Sequence, residues 1–292
     1  QRGSDQPGTL GSGNHFIEIG VIKDVYDNVI ADKFGLKINQ VAVIIHTGSR
    51  GLGHQICDDY VHKMLMESRS LNFSLPDKQL ASAYINSNLG RDYFGAMACA
   101  ANFAWANRQV IMHKVEKSIL KELRLSTSEL GFELIYDVCH NIAKFEEYEI
   151  DGKIKRVCIH RKGATRAFGP GRKELALKFR ETGQPVIIPG DMGTESYLCV
   201  GTEKAMKETF GSSCHGAGRM MSRHQALRIS NVDKVFRELK SKHIFVRAAK
   251  NKTLVEEMSD AYKNVSDVVN TMHDADIIKK VVRTVPLGVI KG

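Results

Sequence analysis

The β-branched run Val41-Ala42-Val43-Ile44-Ile45 leads directly into His46-Thr47-Gly48-Ser49-Arg50-Gly51-Leu52-Gly53, and few architectures accept that order. Branched side chains are stiff and favour a buried, pleated strand. Closely spaced glycines then free the backbone for a tight loop. The segment reads as strand, glycine loop and a helix from about His54. Residues 16–22 and 132–138 read as further strands, the second running into Cys139-His140-Asn141. Residues 185–189 and 196–201 read as two more, around the loop Gly190-Asp191-Met192-Gly193. Between residues 146–150 and 155–160 lies Asp151-Gly152, a dipeptide suited to a hairpin turn. Helical patterns cover residues 92–123 as one or two helices, then 203–209, 218–227, 232–240 and 255–269. Strands that alternate with helices and strands that pair as hairpins occur together. The expected class is α+β, a single large domain of mixed sheets with surrounding helices over residues 1–292.

A chain of 292 residues with 42% hydrophobic content can bury a full core. Its 42 Lys and Arg against 33 Asp and Glu leave +9, which suits a polyanionic partner such as nucleic acid. Six cysteines form no C-x-x-C pair, so neither a zinc ribbon nor a disulfide framework is indicated, and a reducing, cytoplasmic setting is expected, with the nucleus open for a eukaryotic source. No apolar run approaches the roughly 20 residues needed to span a bilayer. The chain opens at Gln1 and enters a glycine-rich motif at once, so an N-terminal part is expected to be missing.

Several familiar chemistries are excluded. The loop 47–53 is one residue short of a dehydrogenase fingerprint, and no tyrosine has a lysine four positions later. No Walker A loop occurs. Glu149-Ile150-Asp151-Gly152 places glutamate where a lysine-based nucleotidyl transferase needs its lysine. Histidines remain. His15, His46 and His140 each sit at a strand end or turn beside Asn or Gly; one such histidine alone is commonly a structural hydrogen-bonder. Three together point to a shared rim and a transition metal, for which an acidic or thiolate ligand should complete the charge balance. His215 differs, lying in Cys214-His215-Gly216-Ala217-Gly218-Arg219 ahead of a predicted helix. Glycines and a helix start offer N–H donors, and Arg219 and Arg223 lie one turn apart, so phosphate is the expected ligand.

These motifs, with Gly13-Asn14-His15-Phe16-Ile17-Glu18, Tyr136-Asp137-Val138-Cys139-His140-Asn141, His160-Arg161-Lys162-Gly163-Ala164-Thr165-Arg166, Pro189-Gly190-Asp191-Met192-Gly193-Thr194 and the terminal Val289-Ile290-Lys291-Gly292, resemble the RtcB family of tRNA-splicing RNA ligases. The resemblance runs the length of the chain and implies an RtcB-like catalytic domain. It implies joining of an RNA 2′,3′-cyclic phosphate or 3′-phosphate end to a 5′-hydroxyl end, dependent on GTP and two Mn2+ ions, in tRNA splicing and RNA repair. By the same resemblance His215 is the residue that carries GMP, and His15, His46 and His140 are metal ligands. Asn14, Glu18, Asn141, Ser196, Gly216 and Lys291 are then guanine-nucleotide contacts, with Pro189, Gly190, Met192 and Ala217 lining the same pocket. Arg50, Arg219 and Arg223 would hold RNA termini or the triphosphate, and Arg161, Lys162 and Arg166 a nucleic-acid backbone. RNA is the implied partner, with an archease-type activator and ligase-complex subunits as further ones. The family's metal-binding D-x-x-C-G does not precede Gly13, so the chain reads as the C-terminal part of such a ligase and is expected to be inactive alone. A noncatalytic RNA-binding fragment and a metal-dependent RNA phosphoesterase stand as alternatives.

Overall fold

The computed structural model describes residues 3–292. The mixed class is met, and the described residues group into two compact units: the residues up to Thr9 with Thr47–Phe132, and Leu10–His46 with Glu133–Gly292. In chain order the elements run β1 (Phe16–Val25), α1 (Asn28–Lys33), β2 (Val41–His46), α2 (Arg50–Met66), α3 (Asn88–Leu123), α4 (Thr127–Leu130) and β3 (Ile142–Ile150). They continue with β4 (Lys153–Arg161), β5 (Ala164–Arg166), β6 (Pro185–Ile188), β7 (Ser196–Gly201), α5 (Glu203–Glu208) and β8 (Ser212–Cys214). The last are α6 (Arg223–Ile229), α7 (Val232–Ser241), β9 (Phe245–Ala248), α8 (Asn251–Glu256), α9 (Val265–Asp274) and β10 (Ile278–Lys291).

The first unit is helical. α3 is one helix of 36 residues, opened by the Ser87 hydroxyl, which accepts the Gly90 N–H at 3.0 Å. It closes at Arg124 in the left-handed region, and a capping box on Ser126 and Glu129 starts α4. Asn107 is fully buried on α3. Its side-chain oxygen accepts from the Gly8 and Thr9 N–H groups, and its amide donates to the Thr9 and Gly48 carbonyls. A buried amide stays there because these partners satisfy it.

The second unit is organised by a sheet in the order β2-β1-β10-β7-β6, with β9 also on β10. β10 meets β1 along one edge; along the other it meets β7 with Ile278–Thr284 and β9 with Gly288–Lys291. The β9–β10 pairing is parallel and the rest of the sheet antiparallel. Pro286 lies within β10 opposite Gly20, where the register shifts. A bulge is where a strand tolerates a residue without an N–H. One apolar cluster joins Phe16 and Val289 to Ala226, Val235, Leu239, Leu254 and Met258, seating α6, α7 and α8 over the ends of β1 and β10. Another packs Val265 and Val269 of α9 against Val186, Ile188 and Cys199. The predicted hairpin forms as β3 and β4, with Asp151 and Gly152 both at positive φ in its turn.

Three expectations need correction. Residues 132–138 form no strand, and Leu134 lies exposed; an apolar run with no neighbouring ladder stays irregular. The helix expected over 218–227 begins only at Arg223, capped by Ser222. The helix expected over 255–269 is two, because Tyr262 turns extended to bridge with Arg219 and Asn264 caps a new start.

Candidate functional site

Three adjacent strand ends place His46, Phe16 and Lys291 side by side: Phe16 pairs with His46 of β2 and with Lys291 of β10. The His46 ring meets Phe16 edge-on at 5.3 Å, and Lys291 Nζ sits 5.6 Å over the Phe16 ring. Two residues along β1, on the same face, Glu18 is almost fully buried. These residues line a cavity of about 220 Å³ together with Asn14, the Pro189–Met192 loop, the His215–Arg219 loop, Arg223, Glu257, Tyr262 and Val289.

Four histidines form a file. The His15 and His46 rings are 6.3 Å apart, His46 and His140 5.3 Å, and His140 and His215 4.2 Å. Nε2 of His46 lies 3.1 Å from Nε2 of His140. Burial, followed by the neighbouring His140, His15, His215 and Lys291, holds His46 well below the ordinary imidazole range, so its ring is neutral at neutral pH. Two imidazoles whose ring nitrogens face each other this closely are a fitting donor pair for one transition-metal ion. The expected trio is not closed around one point: among the described residues no group of three or more His, Cys, Asp and Glu side chains is arranged to hold a metal ion. His15 lies beside the pair, its ring 6.3 Å from that of His46.

Glu18 carries the other electrostatic signature. Burial pushes its carboxyl up to about 7, Ser196 lowers it through a hydrogen bond, and the nearby Asp191 raises it. The Ser196 hydroxyl donates to Glu18 Oε2 at 3.3 Å and accepts the Gly190 N–H at 3.1 Å. Glu18 Oε1 is buried with no hydrogen-bond partner among the described residues. Lys291 is brought down to about 8, chiefly by burial. A carboxylate with a spare acceptor and a lysine of reduced basicity therefore share one cavity, an arrangement that accepts from and donates to a polar heterocycle.

Asn14, Glu18, Pro189, Gly190, Met192, His215, Gly216, Ala217, Arg219 and Lys291 all line the cavity, as does His46. Ser196 lies fully buried behind Glu18, and Asn141 lies exposed, outside the lining set. Arg50 belongs to the first unit, where it opens α2 and donates from Nε to Thr9 Oγ1 at 3.2 Å.

Two expected anion-binding arrangements are corrected. Arg219 is not on the helix with Arg223. Its Nε donates to the Met221 carbonyl, Nη2 to the Glu256 carbonyl, and Nη1 to Glu257 and the Tyr262 hydroxyl. It is consumed by the framework. Arg161 cannot belong to a backbone-binding stripe, because it is buried in a two-pronged pair with Glu146, both contacts at 2.8 Å. Arg166 is likewise engaged with Gln184 and packs on the Phe168 ring. Sequence reasoning missed Glu257 and Tyr262, since a carboxylate in an expected helix and a lone tyrosine carry no spacing signal.

A family profile described as tRNA-splicing ligase RtcB matches residues 1–292. The chain belongs to that family. Among RtcB relatives, the tRNA-splicing ligase RtcB of Archaeoglobus fulgidus is 54% identical over 291 residues, covering 100% of this chain and 60% of that protein. Its namesake from Methanococcus maripaludis is 50% identical, covering 100% of this chain and 61% of the relative. For the RtcB of Pyrococcus abyssi the figures are 51%, 100% and 32%. The chain thus spans at most about 61% of the length of these three relatives. Among the described residues no helix is long and apolar enough to cross a membrane.

Proposed function

We propose that the protein acts as an RNA ligase of tRNA splicing and RNA repair, using GTP and manganese to join a 3′-phosphate or 2′,3′-cyclic phosphate end to a 5′-hydroxyl end. The observation that carries this reading is the position of His215: it stands in the wall of the same cavity as the buried carboxylate Glu18, between a glycine loop and the His46–His140 pair. Glu18, once ionised, accepts from the two N–H edges of guanine, and Ser196 orients it. Lys291 donates to the base, and Asn14, Gly216 and Ala217 confine the nucleotide. A transition-metal ion held by the His46–His140 pair, with His15 beside it, would supply Lewis-acid polarisation of phosphate oxygens.

His215 attacks the α-phosphorus of GTP through a neutral ring nitrogen; the P–N bond forms as the bond to pyrophosphate breaks. An RNA 3′-phosphate oxygen then displaces His215 and takes GMP, and the 5′-hydroxyl displaces GMP while giving up its proton. A cyclic phosphate first takes up water to expose the 3′-phosphate. The net charge of +9 suits a polyanionic substrate. An archease-type activator, further complex subunits and a cytoplasmic setting belong to this same proposal.

Incubation with manganese and α-labelled GTP tests it. Acid-labile label is expected on the wild-type protein and absent from His215→Ala, with retained folding by circular dichroism. Equal labelling of both proteins would remove His215 from the role.

A further inference from the structure

Glu257 lies immediately beyond α8, is 2% exposed, and still forms part of the cavity wall. Its two oxygens are divided. Oε2 receives Arg219 Nη1 at 3.2 Å and the Tyr262 hydroxyl; Oε1 receives Arg223 Nε at 2.9 Å. The Arg219 guanidinium also lies 4.9 Å over the Tyr262 ring and bonds two backbone carbonyls, so all three of its nitrogens are fixed. Arg223 is held differently. Its side chain is half exposed, and beyond Nε its terminal nitrogens carry no hydrogen bond among the described residues. Nη2 lies 3.4 Å from where a Cβ on Gly13 would stand, beside Asn14 of the cavity wall. With Nε anchored, the Nη1 and Nη2 edge remains as a planar two-pronged donor, the geometry that suits phosphate.

We infer that Glu257 is a positioning residue that aims Arg223 at the phosphates of the bound nucleotide, with Arg219 and Tyr262 as the rigid frame that holds Glu257. This rests on the reading of the cavity as a nucleoside triphosphate site. A carboxylate needed for folding alone is already satisfied by Arg219 and Tyr262; the donation from a half-exposed arginine into Oε1 is the part the frame does not require. The arrangement separates two jobs that equal spacing on a helix would have made alike. Arg219 is spent inside the protein, and Arg223 is presented.

The test is a double-mutant cycle on the full chain, read by calorimetry with two probes, inorganic pyrophosphate and guanosine. Glu257→Gln keeps an acceptor and removes the charge, and should weaken pyrophosphate binding about tenfold while leaving guanosine within about twofold. Arg223→Ala should lose at least as much pyrophosphate affinity, and adding Glu257→Gln to it should cost no more than about a further twofold. An effect of Glu257→Gln that persists in the Arg223→Ala background, or that falls equally on guanosine, overturns the inference. If Glu257→Gln fails to fold, Arg223→Lys replaces it. A lysine cannot both occupy Oε1 and present a fork, so pyrophosphate affinity should fall several-fold, and unchanged affinity overturns the inference. Wild-type protein that binds neither probe overturns the nucleotide reading itself. Guanosine binding without pyrophosphate coupling overturns only the role of Glu257.

Discussion

Along the histidine side of the cavity, Nδ1 of His46, Nδ1 of His215 and Oε1 of Glu18 are buried with no hydrogen-bond partner among the described residues. On the Glu257 side every nitrogen of Arg219 and both carboxylate oxygens are engaged. A buried polar atom left without a partner costs on the order of 1 to 3 kcal/mol. The first side therefore carries a cost that a ligand can relieve, and the second is already satisfied without one. Substitution of Arg219, which is spent on the frame, should be read mainly in stability, and that of His215 mainly in binding and chemistry.

The most satisfied network lies outside the cavity and gives the largest expected effect. Arg161 and Glu146 are both buried, with Ser212 Oγ and the Phe210 carbonyl as further partners of Arg161 and the Tyr148 hydroxyl as a further partner of Glu146. Removing one member leaves an uncompensated buried charge, so Arg161→Leu should lose about 3 to 5 kcal/mol in urea unfolding. Replacing both members with apolar residues should recover much of that loss. A double variant no more stable than the single would show that the network is valued for its hydrogen bonds to Ser212 and Phe210.

Glu18 tests the unsatisfied side by pH. Its folded value of about 7 lies above the ordinary 4.5. A raised carboxyl contributes stability that is full below about 4.5 and is lost as pH rises through about 7, because the unfolded chain ionises first. The shift corresponds to about 3 kcal/mol. Unliganded wild-type protein should lose that amount relative to Glu18→Gln between pH 4.5 and 7.5, by chemical unfolding at each pH. Guanine binding should show the reverse dependence and release a proton near pH 6, seen by calorimetry in buffers of different ionisation enthalpy. Parallel stability curves for the two proteins would mean that Glu18 titrates normally.

Arg219→Ala should cost about 2 kcal/mol, since Glu257 keeps Arg223 and Tyr262 as partners after the charged hydrogen bond is lost. His215→Ala should change stability by less than about 0.5 kcal/mol. A reversal of this order would break the contrast between the two sides of the cavity.

The histidine side was largely legible in the sequence and the Glu257 side was not. His15, His140 and His215 each stand beside a glycine or an asparagine, His46 comes two residues before Gly48, and β-branched runs announce β1 and β2, so residue type and position point the same way. Arg219, Arg223 and Glu257 meet only because residues 257–264 leave the helical path and Tyr262 bridges back to Arg219. That crossing is tertiary, and helical periodicity over residues 255–269 argued against it. The strand expected at 132–138 failed for a related reason: apolar content cannot say whether a neighbouring ladder exists. The division into two units was equally invisible, because the chain passes from one to the other at Thr9, His46 and Phe132 without any linker composition.

The last effect concerns a place with neither cavity nor network. Asp151 and Gly152 turn the β3–β4 hairpin at φ values of 54° and 69°, and a Cβ added at Gly152 would meet nothing within 4 Å. Gly152→Ala therefore has no steric contact to break; its cost is the left-handed backbone alone, about 1 kcal/mol. Thermal unfolding should register that loss, with labelling of His215 unchanged. A larger loss would show that the turn sets the register that delivers Arg161 to Glu146, since a slip of one residue would carry Arg161 to the opposite face of its strand. Hairpin and buried pair would then be one cooperative element, and the satisfied network would extend to the surface.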